Sequence, residues 1–262
     1  MKERLVGFVR TYILLVCVFV MQKPLFMLFC YALYDGCKWS DWLEAMWYGL
    51  PLDLSLAGYL AVIPGLLFIV SVWTLSRTLH RLWCGYFLLI SFLLSLIFVG
   101  DILLYAHCGF RLDVTALSHF FSSSHDIQAG MRVGRIVLGI AAVLVYAALL
   151  YGLFYAVLLK KASLLHMKLP YQRLTVSGSL LLAIGLLVIP IRGGWGASAL
   201  HAKAIHFSTE QRLNDAAVNP VFNLMESVVG YKEGDNRHCL MDIDTISNEI
   251  SFFGEPYDAI AV

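Results

Sequence analysis

Five apolar stretches set the rhythm of this chain, at residues 11–29, 52–75, 82–100, 136–159 and 174–191. Each is close to the roughly 20 residues that a helix needs to cross about 30 Å of hydrocarbon. The fourth and fifth carry no charge, and Pro190 marks the end of the fifth. Lys23-Pro24 interrupts the first, Asp53 sits at the edge of the second, and the third runs up to Asp101. The pattern predicts an all-α polytopic membrane protein. Residues 1–191 form five transmembrane helices, and residues 192–262 form an extracytoplasmic helical connector.

Between the first two runs, residues 39–48 hold Trp39, Trp42, Trp47 and Tyr48 beside Asp41 and Glu44. Aromatic rings mixed with charge suit the level of lipid headgroups. Residues 105–135 are too polar to cross, and 114–121 can form a short surface helix. After residue 192 the composition becomes that of a water-exposed segment. Asn219 can cap a helix, Pro220 suits its first position, and Gly230 suits its stop. Val221, Leu224, Met225 and Val228 then share one face. Ser208 and Gln211 have capping-box spacing for an earlier helix, and residues 245–253 suit a third. Three short amphipathic helices make a poor core alone. Their apolar faces call for the membrane surface or a further domain.

Charge orients the chain. Lys2, Arg4 and Arg10, then Arg77 and Arg81, then Lys160, Lys161, Lys168 and Arg173 fall on one side, against Lys38, Arg111, Arg132 and Arg135 in the opposite short loops. The basic-inside bias places the amino terminus in the cytoplasm and, after five crossings, the tail in the periplasm of a bacterial inner membrane. The first run follows basic residues, as a signal peptide would. No small-residue cleavage site follows it, and apolar character continues to Phe29, so it reads as an uncleaved anchor.

Composition narrows the function. The 262 residues are 60% hydrophobic and only 14% charged, with a formal net charge of +1, which gives no electrostatic case for nucleic acid. The six cysteines show no metal-binding spacing. Cys17, Cys30 and Cys84 read as small hydrophobes, and Cys37, Cys108 and Cys239 fall on the outer side. Mid-span positions carry almost no polar groups and no inverted repeat is visible, which disfavours a transporter.

Short motifs in a fixed order then carry a resemblance. Gln22-Lys23-Pro24-Leu25-Phe26, Gly49-Leu50-Pro51-Leu52-Asp53, Asp101-Ile102-Leu103-Leu104-Tyr105, Gly109-Phe110-Arg111-Leu112-Asp113, Ile191-Arg192-Gly193-Gly194 and Asn214-Asp215-Ala216-Ala217-Val218-Asn219-Pro220 resemble the membrane half of the lipoteichoic acid synthase family, in its sulfatase-like, Bacteroidetes-type form. The resemblance implies a membrane anchor that positions a phospholipid-dependent phosphoglycerol or phosphoethanolamine transferase. It places the catalytic domain, of the alkaline phosphatase superfamily with a divalent metal, usually manganese, beyond Val262. No position here matches the family's threonine nucleophile or metal ligands, so the chain by itself is expected to be inactive. The implied partners are membrane phospholipid and a sulfatase-like catalytic domain, in cis or as a separate chain. The same anchor would suit a membrane-bound sulfatase or phosphodiesterase, or a non-enzymatic protein that binds lipid or a partner.

Charges at the edge of a bilayer invite explanation, since inserting one costs about 2.5–3.5 kcal/mol. Lys23, Asp53, Asp101, Arg111 and Arg192 fall near one level, with Asp113 close by. Two roles are open to them. Lys23, Arg111 and Arg192 can seat a lipid phosphate while Asp53 and Asp101 hold these cations, or the charges simply pair with one another. Other constellations are weaker. His119, His125 and Asp126 lack ligand register, Ser122–Ser124 lack a paired base, and Gly193, Gly194 and Gly196 suit a hinge better than a phosphate cradle. Pro24 and Pro64 mark kinks. Gly58, Gly65, Gly139, Ala141 and Ala142 are candidates for close helix contact.

Overall fold

The computed structural model describes residues 2–31, 34, 36–74, 77–117, 133–159, 170–194 and 200–230. Within them the chain is helical and has no strand. In order come α1 (Lys2–Phe29), α2 (Trp39–Tyr48), α3 (Leu50–Trp73), α4 (Arg77–Cys108) and α5 (Val133–Phe154), which continues into a π-helical turn (Tyr155–Leu159). Then come α6 (Pro170–Leu186) and the short α7 (Val188–Ile191). The connector holds a 3-10 turn (Ala202–Ile205), α8 (Gln211–Ala217) and α9 over 220–230. Five helical segments are long and apolar enough to cross a membrane: Glu3–Phe29, Leu50–Trp73, Arg77–Ala106, Val137–Leu159 and Arg173–Ile191.

Helices α1 and α4 overrun the apolar stretches that announce them. An α-helix satisfies its own backbone in water as well as in lipid, so a polar flank such as Arg77 to Arg81 extends the helix instead of ending it.

Cross-links fix the alternation of the bundle. Arg4, at the start of α1, donates to Ser71 Oγ at the end of α3 (3.0 Å), while Lys23, late in α1, meets Asp53, early in α3. Trp73 Nε1 likewise ties the end of α3 to Ser177 Oγ near the start of α6 (3.0 Å). Arg4, Arg77 and Arg173 therefore lie towards one end, the basic end. Helix α2 and the connector gather at the other.

Proline chemistry explains two irregularities. Pro64 has no N–H, so the carbonyl of Leu60, four residues back, loses its helical donor. The hydroxyl of Tyr86 from α4 donates to that carbonyl instead. Pro190 likewise offers nothing to Leu186, and the helix is interrupted at Leu187 before resuming as α7.

Small residues let α3 approach its neighbours. Gly58 faces Ile191 of α7, and Ser55 Oγ donates to the Ile191 carbonyl (2.8 Å). A Cβ on Gly65 would lie 2.8 Å from both Ile184 of α6 and Phe8 of α1. A Cβ on Gly139 would lie 3.1 Å from Leu103 of α4. Ala141 and Ala142 are exposed on α5. Gly65→Ala is expected to cost about 1–3 kcal/mol through overpacking, read as a lower Tm in detergent. The obstacles are side-chain tips, which can give way.

Two apolar clusters form the core. One fills the bundle around Leu15, Phe19, Phe87, Leu94, Phe154 and Leu180. The other joins the bundle end to the connector: Phe26, Met27, Leu52 and Tyr105 pack with Leu213, Ala216, Ala217, Val218 and Phe222. The bundle's own end therefore covers α8 and the first half of α9, where the sequence calls for the membrane surface or a further domain. On α9, Val221 and Met225 of the expected face pack against the two clusters. Phe222 is its buried anchor, whereas Val228 is exposed. The proposed helix at 245–253, His119, His125, Asp126, Ser122–Ser124 and Gly196 lie outside the described residues. Of 114–121, residues 114–117 are helical and the rest lie outside.

Candidate functional site

Where the bundle meets the connector, four charged side chains from three separate stretches come together out of solvent. Lys23 of α1 forms an ion pair and hydrogen bond with Asp53 of α3, with Lys23 only 3% exposed and Asp53 fully buried. Arg111, just beyond α4, lies 2.9 Å from Asp101 of α4. Arg111 is 8% exposed and Asp101 fully buried. Two acids and two bases sum to zero, which is what a low-dielectric setting demands.

The pairs do not stand alone. Asn219 Nδ2 donates to Asp53 Oδ1 (2.9 Å), and the Leu112 N–H donates to Asp101 Oδ1 (2.8 Å). Arg111 donates to the Val218 carbonyl, and its guanidinium lies 4.0 Å above the Phe26 ring, a cation–π contact. The Arg111–Asp101 approach is close, but it does not meet hydrogen-bond geometry at Nη1 and Oδ2. It acts as a charge pair, and the directional bonds run to the backbone.

Local chain chemistry explains why these groups are free to meet. Asn219 caps α9 as its sequence position indicates: its Oδ1 accepts the N–H groups of Val221 (3.0 Å) and Phe222 (3.3 Å). The Phe222 N–H would otherwise seek the Val218 carbonyl, which is left for Arg111. The cap side chain's own amide N–H reaches Asp53, so one residue both starts a helix and ties it to the bundle. The Ala217 carbonyl packs directly over Gly49, the residue joining α2 to α3, where a Cβ would also strike the Lys23 stem.

A second ring of contacts surrounds the first. Tyr34 Oη donates to the Arg212 carbonyl (2.8 Å), and Tyr105 Oη donates to Asp215 Oδ2 (3.1 Å). Burial pushes the Tyr34 phenol up, so it stays a protonated donor at neutral pH. Asn223 Nδ2 donates to the Leu112 carbonyl (2.9 Å), and the Val114 N–H donates to Ser227 Oγ (3.0 Å). Deeper in the bundle, Gln22 Nε2 donates to Tyr146 Oη (3.3 Å). The capping box expected at Ser208 and Gln211 is not formed. Ser208 Oγ accepts the Glu210 N–H (3.1 Å), and Gln211 Nε2 donates to Asp215 (2.8 Å). Asn214 fixes that turn instead, accepting the N–H groups of Phe207 and Ser208.

Of the five residues singled out from sequence, Lys23, Asp53, Asp101 and Arg111 are brought together. Arg192 is not among them: it caps α7 and is exposed, next to Gly193 and Gly194, both at positive φ (80° and 122°). Asp113 stands apart too, accepting the Ala116 N–H (2.6 Å). Sequence reasoning missed Asn219, Tyr105 and Asp215 as partners. All three lie inside the quoted motifs, the one signal that points to them. Among the described residues no group of His, Cys, Asp and Glu is arranged to hold a metal ion. The described thiols of Cys17, Cys30, Cys37 and Cys84 are free.

Arg111→Lys tests the directional part of this arrangement. Lysine keeps the charge beside Asp101 but not the planar group over Phe26 or the fork that reaches Val218. A loss of about 1–3 kcal/mol is expected, measured by thermal unfolding in detergent.

The fold and site together define an all-helical protein with five helices of membrane-crossing length and a helical connector locked to one end by a buried charge network. Comparison with protein-family models, with curated proteins and with solved structures returned no match to this chain.

Proposed function

We propose that this chain is a membrane anchor whose connector is held in a fixed pose so as to position a phospholipid-dependent phosphoglycerol or phosphoethanolamine transferase at the outer face of a bacterial inner membrane. The observation that carries this reading is the buried lock of Lys23, Asp53, Asp101 and Arg111 on Val218 and Asn219. A flexible tether needs no such device, whereas a module that sets the height and angle of an attached domain does. The resemblance adds support, because its motifs are scattered in sequence yet five of the six meet at this lock. Arg4, Arg77 and Arg173 at the opposite end agree with a cytoplasmic amino terminus.

In this reading the four buried charges position the connector. Of the five candidate residues, Arg192 alone stands open to a lipid phosphate. Among the described residues no group of His, Cys, Asp and Glu is arranged to hold a metal ion, and the family resemblance assigns the chemistry to a sulfatase-like domain, in cis or as a separate chain. The family resemblance gives that domain a divalent metal, usually manganese.

The test is purification from native membranes in mild detergent, followed by an assay of headgroup transfer from fluorescent phosphatidylglycerol and phosphatidylethanolamine with added manganese. Transfer is expected only in preparations containing an alkaline phosphatase superfamily domain, and Arg192→Leu should raise the apparent KM for lipid. Native preparations without such a domain or any metal-dependent transfer would sink the reading.

A further inference from the structure

We infer that α2 is a lipid-surface docking helix, whose Trp39–Leu43–Trp47 flank enters the boundary between headgroups and acyl chains of the leaflet at the connector end. Its ten residues divide unequally around one axis. At about 100° per residue, α2 has three sectors. Asp41, Trp42, Ala45 and Met46 turn inward, with Ala45 fully buried in the cluster shared with the connector. Trp39, Leu43 and Trp47, at i, i+4 and i+8, form a second sector that is 83%, 66% and 72% exposed. Ser40, Glu44 and Tyr48 form a third, also exposed.

A helix that only lay on a protein surface in water would need two faces. The third face, apolar and open, needs an apolar occupant, and the polar sector beside it needs water. Only an interface supplies both at once. Continuity says which interface. Gly49 is both the C-cap of α2 and the residue before α3, so α2 ends where a membrane-crossing helix begins. At the same end of the bundle, Leu28, Phe29 and Tyr31 are also exposed, which extends the apolar surface from the end of α1 towards α2. Tryptophan is the side chain best suited to that depth.

The consequence reaches the connector. Tyr48 stacks on Phe207 with ring centroids 4.8 Å apart and planes 2° from parallel. Gly49 lies under the Ala217 carbonyl. The depth of α2 in the leaflet therefore sets the height of the connector above it. The inference rests on the membrane-anchor reading, and the experiment separates the two.

A photoreactive benzophenone amino acid is placed singly at Leu43, Trp47, Glu44 and Leu149 in the full chain, reconstituted in phosphatidylethanolamine–phosphatidylglycerol vesicles. Leu149 is 66% exposed on α5, in the middle of a predicted span, and reports membrane insertion alone. After irradiation, intact-protein mass spectrometry should show lipid adducts at 43, 47 and 149, at least several-fold above those at 44. Adducts at 149 with none at 43 and 47 would overturn the docking helix and leave the anchor standing. A cross-link from 43 or 47 to a second copy of the chain would also overturn it. Absence of adducts at all four positions would remove both readings.

Discussion

Asp53→Ala is expected to destabilise the protein by about 3–5 kcal/mol, the loss seen when one partner of a buried ion pair is removed. The substitution strands Lys23 in a site where it is 3% exposed, and it deprives Asn219 of its acceptor. The measurement is thermal unfolding in detergent, with limited proteolysis of the connector as a second readout. The double variant Lys23→Met with Asp53→Leu separates attraction from stranded charge. Two apolar side chains of similar size remove the buried charge altogether, so stability should return most of the way to the parent's. The connector should nonetheless become more susceptible to protease, because the Asn219 link to the bundle is not restored. If the double variant were as unstable as Asp53→Ala, charge burial would not be the cause.

Gly49→Ala is the second large effect, and its cause is steric. The new methyl group would collide with the Ala217 carbonyl and the Lys23 stem. A side-chain tip can rotate away; a backbone carbonyl at the end of α8 cannot move without carrying the connector with it. A loss of about 3 kcal/mol or more is expected, the upper end for overpacking, with release of the connector seen as new proteolytic sites between 200 and 230. Gly7→Ala is the matched control. It meets only the ring of Phe68, at 2.9 Å, and should leave the connector protected. Equal sensitivity of the two variants would argue against the docked connector. The glycine at 49 has an ordinary helical φ of −80°, so the requirement is for space and not for backbone freedom.

Much of this architecture was legible in one dimension. Five long apolar runs forecast five long helices, because hydrocarbon length and helix rise together fix how many apolar residues a span needs. The Asn219-Pro220 cap was legible for a similar reason: capping is a local bond between a side chain and the next two N–H groups. The charged residues at the ends of the runs were visible as anomalies. What they do was not. Lys23 and Asp53 are thirty residues apart and Arg111 and Val218 more than a hundred, and no local rule pairs them. Which cation meets which carboxylate became visible only with the helices side by side.

The connector shows the limit most clearly. Its sequence marks where helices start and which residues are apolar, yet only part of the face read as buried in α9 packs: Val221 and Met225 do, and Val228 is exposed. Periodicity ranks Val221, Leu224, Met225 and Val228 together because it sees hydrophobicity alone. The structure adds Phe222 as the buried anchor beside Val221 and Met225, because Asn219 turns towards Asp53 and the helix follows its cap. The sequence alone determined the number, length and approximate ends of the helices, since those depend on neighbours within a turn or two. Only the tertiary structure decided what covers the connector and which charge meets which, because a buried charge is satisfied by whatever lies within about 3 Å of it, however far away along the chain.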